Sequence, residues 1–96
     1  NQKTSNTKFV GKFKQIATAE TVTAGQEKSY LIDYPSFKFP PIVTVSVVNK
    51  TGTTAGANTT IVLGDITTTQ TNFTVRYGLS GTATVGVNLI AIGIPN

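Results

Sequence analysis

The segment Asn72-Phe73-Thr74-Val75-Arg76-Tyr77-Gly78 alternates without a break: Phe73, Val75 and Tyr77 fall on one side of an extended chain, Thr74 and Arg76 on the other. Successive side chains of a strand point to opposite faces, so this is the signature of a strand with one dry face and one wet face. The same period of two recurs up and down the chain, as in Val43, Val45 and Val47 against Thr44 and Ser46. No stretch repeats apolar residues at i, i+3, i+4 and i+7 over three turns, so helix is not indicated. The 18 threonines and 9 glycines with few charges fit a β-rich chain.

The spacing predicts six strands, at 7–17, 28–34, 42–49, 59–66, 72–78 and 84–94. The first places Phe9, Gly11 and Phe13 on one face and Lys8, Lys12 and Lys14 on the other. Turn chemistry separates the strands. Thr23–Gly25 closes the extension of the first, 50–58 with Gly52 and Gly56 reads as a flexible loop, and 67–71 reads as a polar hairpin loop. Leu79–Gly81 carries a glycine suited to positive φ. Pro40 and Pro41 cannot donate to a ladder, so the third strand starts after them. Hairpin-connected strands about a dozen residues apart describe an all-β, six-stranded antiparallel β-sandwich.

Composition narrows the function. A chain of 96 residues is one domain. It holds no histidine and no cysteine, which removes catalytic triads, thiolate chemistry and the usual zinc ligands. The four acids are dispersed, so the paired carboxylates of glycoside hydrolysis are not expected, nor is a calcium site. Gly52-Thr53-Thr54-Ala55-Gly56 lacks the Lys-Ser/Thr of a phosphate loop. We therefore expect no enzyme, no cofactor and no metal. No apolar run approaches the ~20 residues of a membrane span, and no membrane insertion is expected. The chain opens on Asn1 without a signal peptide or initiator methionine, which leads us to expect a piece of a longer or processed protein.

The net charge of +4 has a location. Residues 1–14 hold Lys3, Lys8, Lys12 and Lys14 and no acid, whereas residues 15–96 are neutral overall. The division expected is a basic N-terminal segment over 1–14, with residues 1–6 frayed, leading into a single domain over 15–96. Nucleic-acid binding would call for a basic folded face with arginines and stacking aromatics, and Arg76 is the one arginine. The bland reading of these charges is a solvated leader.

The sixth strand is apolar on both sides. Val85, Val87, Leu89 and Ala91 share one face; Ile90, Ile92 and Ile94 share the other. A two-layer fold leaves one face of each sheet to water. Either the N-terminal segment covers the isoleucines or they lie in a subunit interface. We take the second, with Ile90, Ile92 and Ile94 as interface residues, because such a row is an association patch.

These segments resemble a known family. The stretch from Tyr30-Leu31-Ile32-Asp33-Tyr34-Pro35 through Phe37-Lys38-Phe39-Pro40-Pro41 to Ile42-Val43-Thr44-Val45-Ser46-Val47 looks like the early part of an H-type lectin domain. Asn72-Phe73-Thr74-Val75-Arg76 resembles its fifth strand, and Val85-Gly86-Val87-Asn88-Leu89-Ile90-Ala91-Ile92-Gly93 its last. The Thr/Gly-rich, cysteine-free texture is nearest to the versions found in bacteriophage tail-fibre and baseplate receptor-binding proteins. The resemblance covers residues 20–94. It implies a homotrimer on a virion tail, or an extracellular adhesin, that binds a cell-surface saccharide at shallow sites and meets other virion or tail proteins through its N-terminal side. Leu89 stands where the family's last strand has an aromatic, so the candidate ligand-binding residues here are Arg76, Asp65, Tyr77, Asn72 and Asn88. Arg76 could equally be a solvated strand residue or pair with Asp65, and Asp65 could be a turn former. The rings of Tyr30, Tyr34, Phe37 and Phe39 read as corner packing or as a sugar platform. The competing function is a structural trimeric cap or connector of the virion with no ligand.

Overall fold

A computed structural model describes residues 7–96. The expected fraying of residues 1–6, and Lys3, lie outside the described residues. The elements in chain order are β1 (Lys8–Val22), β2 (Glu27–Asp33), β3 (Ile42–Asn49), α1 (Thr54–Ala57), β4 (Thr59–Ile66), β5 (Gln70–Tyr77) and β6 (Gly81–Gly93). They form two three-stranded sheets, one ordered β1-β6-β3 and the other β2-β5-β4. Every pairing is antiparallel.

The two central strands supply the core. Phe73, Val75 and Tyr77 of β5 are buried with Val85, Val87, Leu89 and Ala91 of β6, and Val22, Ile32, Tyr34, Phe37 and Val43 close the perimeter. Each large side chain taken fully from water contributes about 1.5–3 kcal/mol before chain entropy is set against it. The Pro-rich bend is tied to this core by hydrogen bonds. The Tyr34 hydroxyl lies 2.8 Å from the Thr67 carbonyl and 2.9 Å from Oγ1 of the buried Thr71. Tyr34 also meets Phe37 edge to face, with centroids 5.5 Å apart.

Several expectations change. The first strand does not stop at residue 17. It continues to Val22 through irregularities between Gln15 and Ala17 and between Ala17 and Glu20, so the boundary expected after residue 14 falls inside a continuous strand. The segment 50–58 is not purely loop: Thr53 caps a short helix, its Oγ1 accepting from the Gly56 N–H at 3.1 Å. β5 and β6 each begin earlier than the alternation indicated, at Gln70 and Gly81. Both turn glycines are where φ demands them, Gly25 at 86° and Gly81 at 148°.

The register also decides which face of β1 is inward. In an antiparallel pair, opposed residues project to the same side. Val10 is opposed to Ala91, Lys12 to Leu89 and Lys14 to Val87, which are core residues of β6. Phe9 and Phe13 therefore stand on the outer, solvent side of the sheet, with the lysines on the inner side of its edge.

Candidate functional site

The outer face of the β1-β6-β3 sheet is apolar at one end. Register across its three strands aligns Phe9, Ile92 and Ile42 in one row, and Gly11, Ile90 and Thr44 in the next. The following rows are Phe13, Asn88 and Ser46, then Gln15, Gly86 and Val48. Phe9 is 70% exposed, Ile42 77% and Ile90 47%. Ile94 continues beyond the end of β6 and is exposed as well. Among the described residues the N-terminal segment does not shield the isoleucines. β1 pairs beside β6 in the same sheet and adds Phe9 and Phe13 to the apolar surface rather than covering it. The sequence reading did not place Phe9 and Ile42 beside Ile92, or Phe13 one row beyond Ile90. Their alternation was visible, but the register that sets them beside Ile92 and Ile90 is not a local property of the sequence.

At the polar end of that face the Phe13 ring lies over Gly86, where any Cβ would run into it. Lys50 places its Nζ 5.1 Å from the centroid of the same ring. A cation over an aromatic face at this distance is attractive.

The outer face of the β2-β5-β4 sheet is mostly polar. Its rows are Glu27, Arg76 and Thr60, then Ser29, Thr74 and Val62, then Leu31 and Asn72, then Asp33 and Gln70. The Ser29 and Thr74 hydroxyls are 3.1 Å apart. Arg76 is exposed, and its Nη2 comes to within 4.0 Å of where a Cβ on Gly25 would stand. Asn72 shares the face, four residues and about 13 Å along β5. Its Oδ1 packs against Gly64. Asp65 is exposed in the irregularity between Leu63 and Ile66, and no pairing with Arg76 occurs among the described residues. The ion pair present joins Lys28 and Glu20 at 3.2 Å, which raises the Lys28 pKa.

Two of the candidate residues are elsewhere. Tyr77 is 1% exposed and belongs to the core, and burial pushes its phenol up to about 12. It has no surface to offer a ligand. Asn88 is exposed on the other sheet, between Phe13 and Ser46, and cannot join Arg76 and Asn72. Of the rings near the bend, Tyr34 and Phe37 are packing residues, and Phe39 is 57% exposed. Among the described residues there is no pocket and no group of three or more His, Cys, Asp or Glu side chains. The geometry is one of flat surfaces suited to contact.

The arrangement has known counterparts. In fold, the chain is similar to an R1 pyocin tail fibre. It aligns with the C-terminal part of the P. aeruginosa R1 pyocin fibre at a TM-score of 0.68 and 15% identity, covering 88% of this chain and 23% of that one. It aligns equally well with an N-truncated R1-type pyocin tail fibre, at a TM-score of 0.68 and 15% identity, covering 88% of this chain and 70% of that one. No protein-family model matches the sequence, and no curated protein matches it. At this identity the likeness is one of fold.

Proposed function

We propose that the chain is a module of a phage-tail-type fibre, on the virion tail, that assembles as a homotrimer and presents its polar sheet face to a cell-surface saccharide. The observation that carries the reading is the apolar row of Phe9, Ile92 and Ile42, with Phe9 and Ile42 exposed on either side of the half-buried Ile92, on a fold shared with tail fibres. An apolar surface of this kind on a small domain is an association site. With that face in the trimer interface, the β2-β5-β4 face is left outward, with Arg76 and Asn72 as ligand-binding residues. Weak sites presented in three copies gain by avidity. The N-terminal side would meet the remainder of the fibre or other tail proteins.

Light scattering on the purified chain, followed by binding of the oligomer to host cells in the presence of competing saccharides, tests the reading. A trimer whose cell binding is competed by saccharide supports it; a monomer at micromolar concentration overturns it. The ligand-free connector has one observation in its favour: among the described residues, no aromatic ring stands on the outer face of the β2-β5-β4 sheet. A trimer silent toward every host polysaccharide would establish that alternative.

A further inference from the structure

Three lysines share one side of β1. Lys8, Lys12 and Lys14 are opposed to Gly93, Leu89 and Val87, so they project away from Phe9 and Phe13. Because β1 is an edge strand, side chains there reach solvent past the rim of the facing sheet; Lys12 is exposed and Lys14 half-buried. The strand rise sets Lys12 and Lys14 about 7 Å apart, with Lys8 about 14 Å beyond Lys12. The Debye length at physiological salt is about 8 Å, so the fields of Lys12 and Lys14 add.

Among the described residues none of them is in an ion pair. The chain's acids are Glu20, Glu27, Asp33 and Asp65, and the one ion pair among the described residues uses Lys28 and Glu20. Asp33 lies in the outward row of the other sheet with Gln70. Lys8 is held by neutral groups, its Nζ 3.5 Å from the Ser36 carbonyl and 5.1 Å from the Phe37 ring centroid.

We propose that this lysine edge is a binding strip for an anionic polysaccharide, whose carboxylate or phosphate groups would seat on Lys12 and Lys14. It is separate from the Arg76 face and takes from the fibre reading only that such a polymer is met at a cell surface. A polysaccharide fits better than a nucleic acid. The rings of β1 are on the opposite side, Tyr34 and Phe37 are buried, and Arg76 is on the other sheet, so the strip has charge without a stacking platform. Lysines on an edge strand also deter edge-to-edge pairing, but that role needs no ligand.

The test is retention of the full chain on immobilised polygalacturonate, with neutral dextran and polyuridylate as comparison surfaces, across a salt series. Wild type should bind polygalacturonate and not dextran. Its log K should fall against log salt with a slope of about −1.4, two contacts at ~0.7 each on the scale for single-stranded polyanions. Lys12→Gln/Lys14→Gln should bind at least roughly tenfold more weakly with a flattened slope, while its melting temperature shows that it is folded. No binding by wild type, or equal binding by the double variant, overturns the strip. Tighter binding to polyuridylate overturns the ligand class. Lys50→Gln, which removes one positive charge beyond the end of the opposite edge strand β3, should bind polygalacturonate as wild type does. If Arg76→Ala loses binding while the lysine variant keeps it, the anion site is on the sheet face, and the strip falls without touching the fibre reading.

Discussion

Phe13 covers Gly86: the ring of an edge-strand residue lies on the backbone of the central strand, in a space that a single methyl group would close. Adding that methyl brings the new Cβ to 3.2 Å from the Lys14 carbonyl oxygen and drives it into the Phe13 ring. The ring is half exposed and can swing aside, so Gly86→Ala should destabilise at the low end of the overpacking range, about 1 kcal/mol. In a Phe13→Ala background the same substitution should cost less. Chemical denaturation of the four proteins of this double-mutant cycle measures the coupling, and additive costs would show that the two residues do not meet.

Ile90→Asp should break assembly and spare the fold. Ile90 is 47% exposed in the chain alone, on the outer face between Gly11 and Thr44. A carboxylate there is solvated in a monomer, but would be desolvated or set against its symmetry copies in an oligomer, where like charges cost several kcal/mol. Val87→Asp is the contrast, since Val87 is fully buried and an unpaired charge there should unfold the domain. Sedimentation and circular dichroism separate the two outcomes. An Ile90→Asp protein of unchanged mass would refute the interface.

How much of this was legible depended on whether the information was local. β3 and β4 match their expected bounds, because Val43–Val47 and Ile61–Leu63 carry period two, and the irregularity of β4 falls only beyond Leu63. The outward direction of Arg76 followed from Phe73, Val75 and Tyr77, and the same alternation already put Tyr77 in the core, where it is found. β1 was harder. By hydrophobicity its phenylalanines compete with its lysines for the inner face. The register with β6 decides for the set Val10, Ile16, Ala17 and Val22, carried across the irregularities at Gln15–Glu20. The separation of Asn88 from Arg76 depends on which strands share a sheet, and no single segment encodes that.

Arg76→Ala should weaken binding to host cells and leave the melting temperature nearly unchanged. The side chain is exposed and forms no ion pair among the described residues, so it adds little to stability. A guanidinium donating two parallel hydrogen bonds to vicinal hydroxyls or a carboxylate is worth about 1.5–3 kcal/mol per site. Three copies multiply that loss in a cell-binding assay. A folded Arg76→Ala oligomer that binds cells like wild type would remove Arg76 from the ligand site.

Ala19→Gly should stabilise the domain slightly. Ala19 has φ of 47°, in the left-handed region, where it closes the irregularity between Ala17 and Glu20 and donates its N–H to Thr84 Oγ1 at 2.8 Å. The Cβ costs about 1–2 kcal/mol in that conformation. Glycine removes the strain but adds unfolded-state entropy of about 0.4–1 kcal/mol, leaving a gain on the order of 0.5 kcal/mol. A fall in the denaturation midpoint would mean that the Ala19 methyl makes a packing contact that outweighs its strain.

Stability should decline from about pH 10 upward, with Tyr77 as a principal cause. Its phenol is raised from 10.0 to about 12 by burial, which disfavours the phenolate in the folded chain. Between those values the unfolded chain has lost the proton and the folded chain keeps it, so the folded state binds more protons and raising the pH favours unfolding. The contribution is complete below pH 10 and is lost as pH climbs through about 12. Tyr30, raised by burial, and Lys28, raised by its hydrogen bond to Glu20, act in the same direction. Tyr77→Phe keeps the ring in the core and removes the titrating group. Its melting temperature should therefore fall less steeply than that of wild type between pH 9 and pH 12, and identical slopes would show that the Tyr77 hydroxyl titrates as a solvated phenol does.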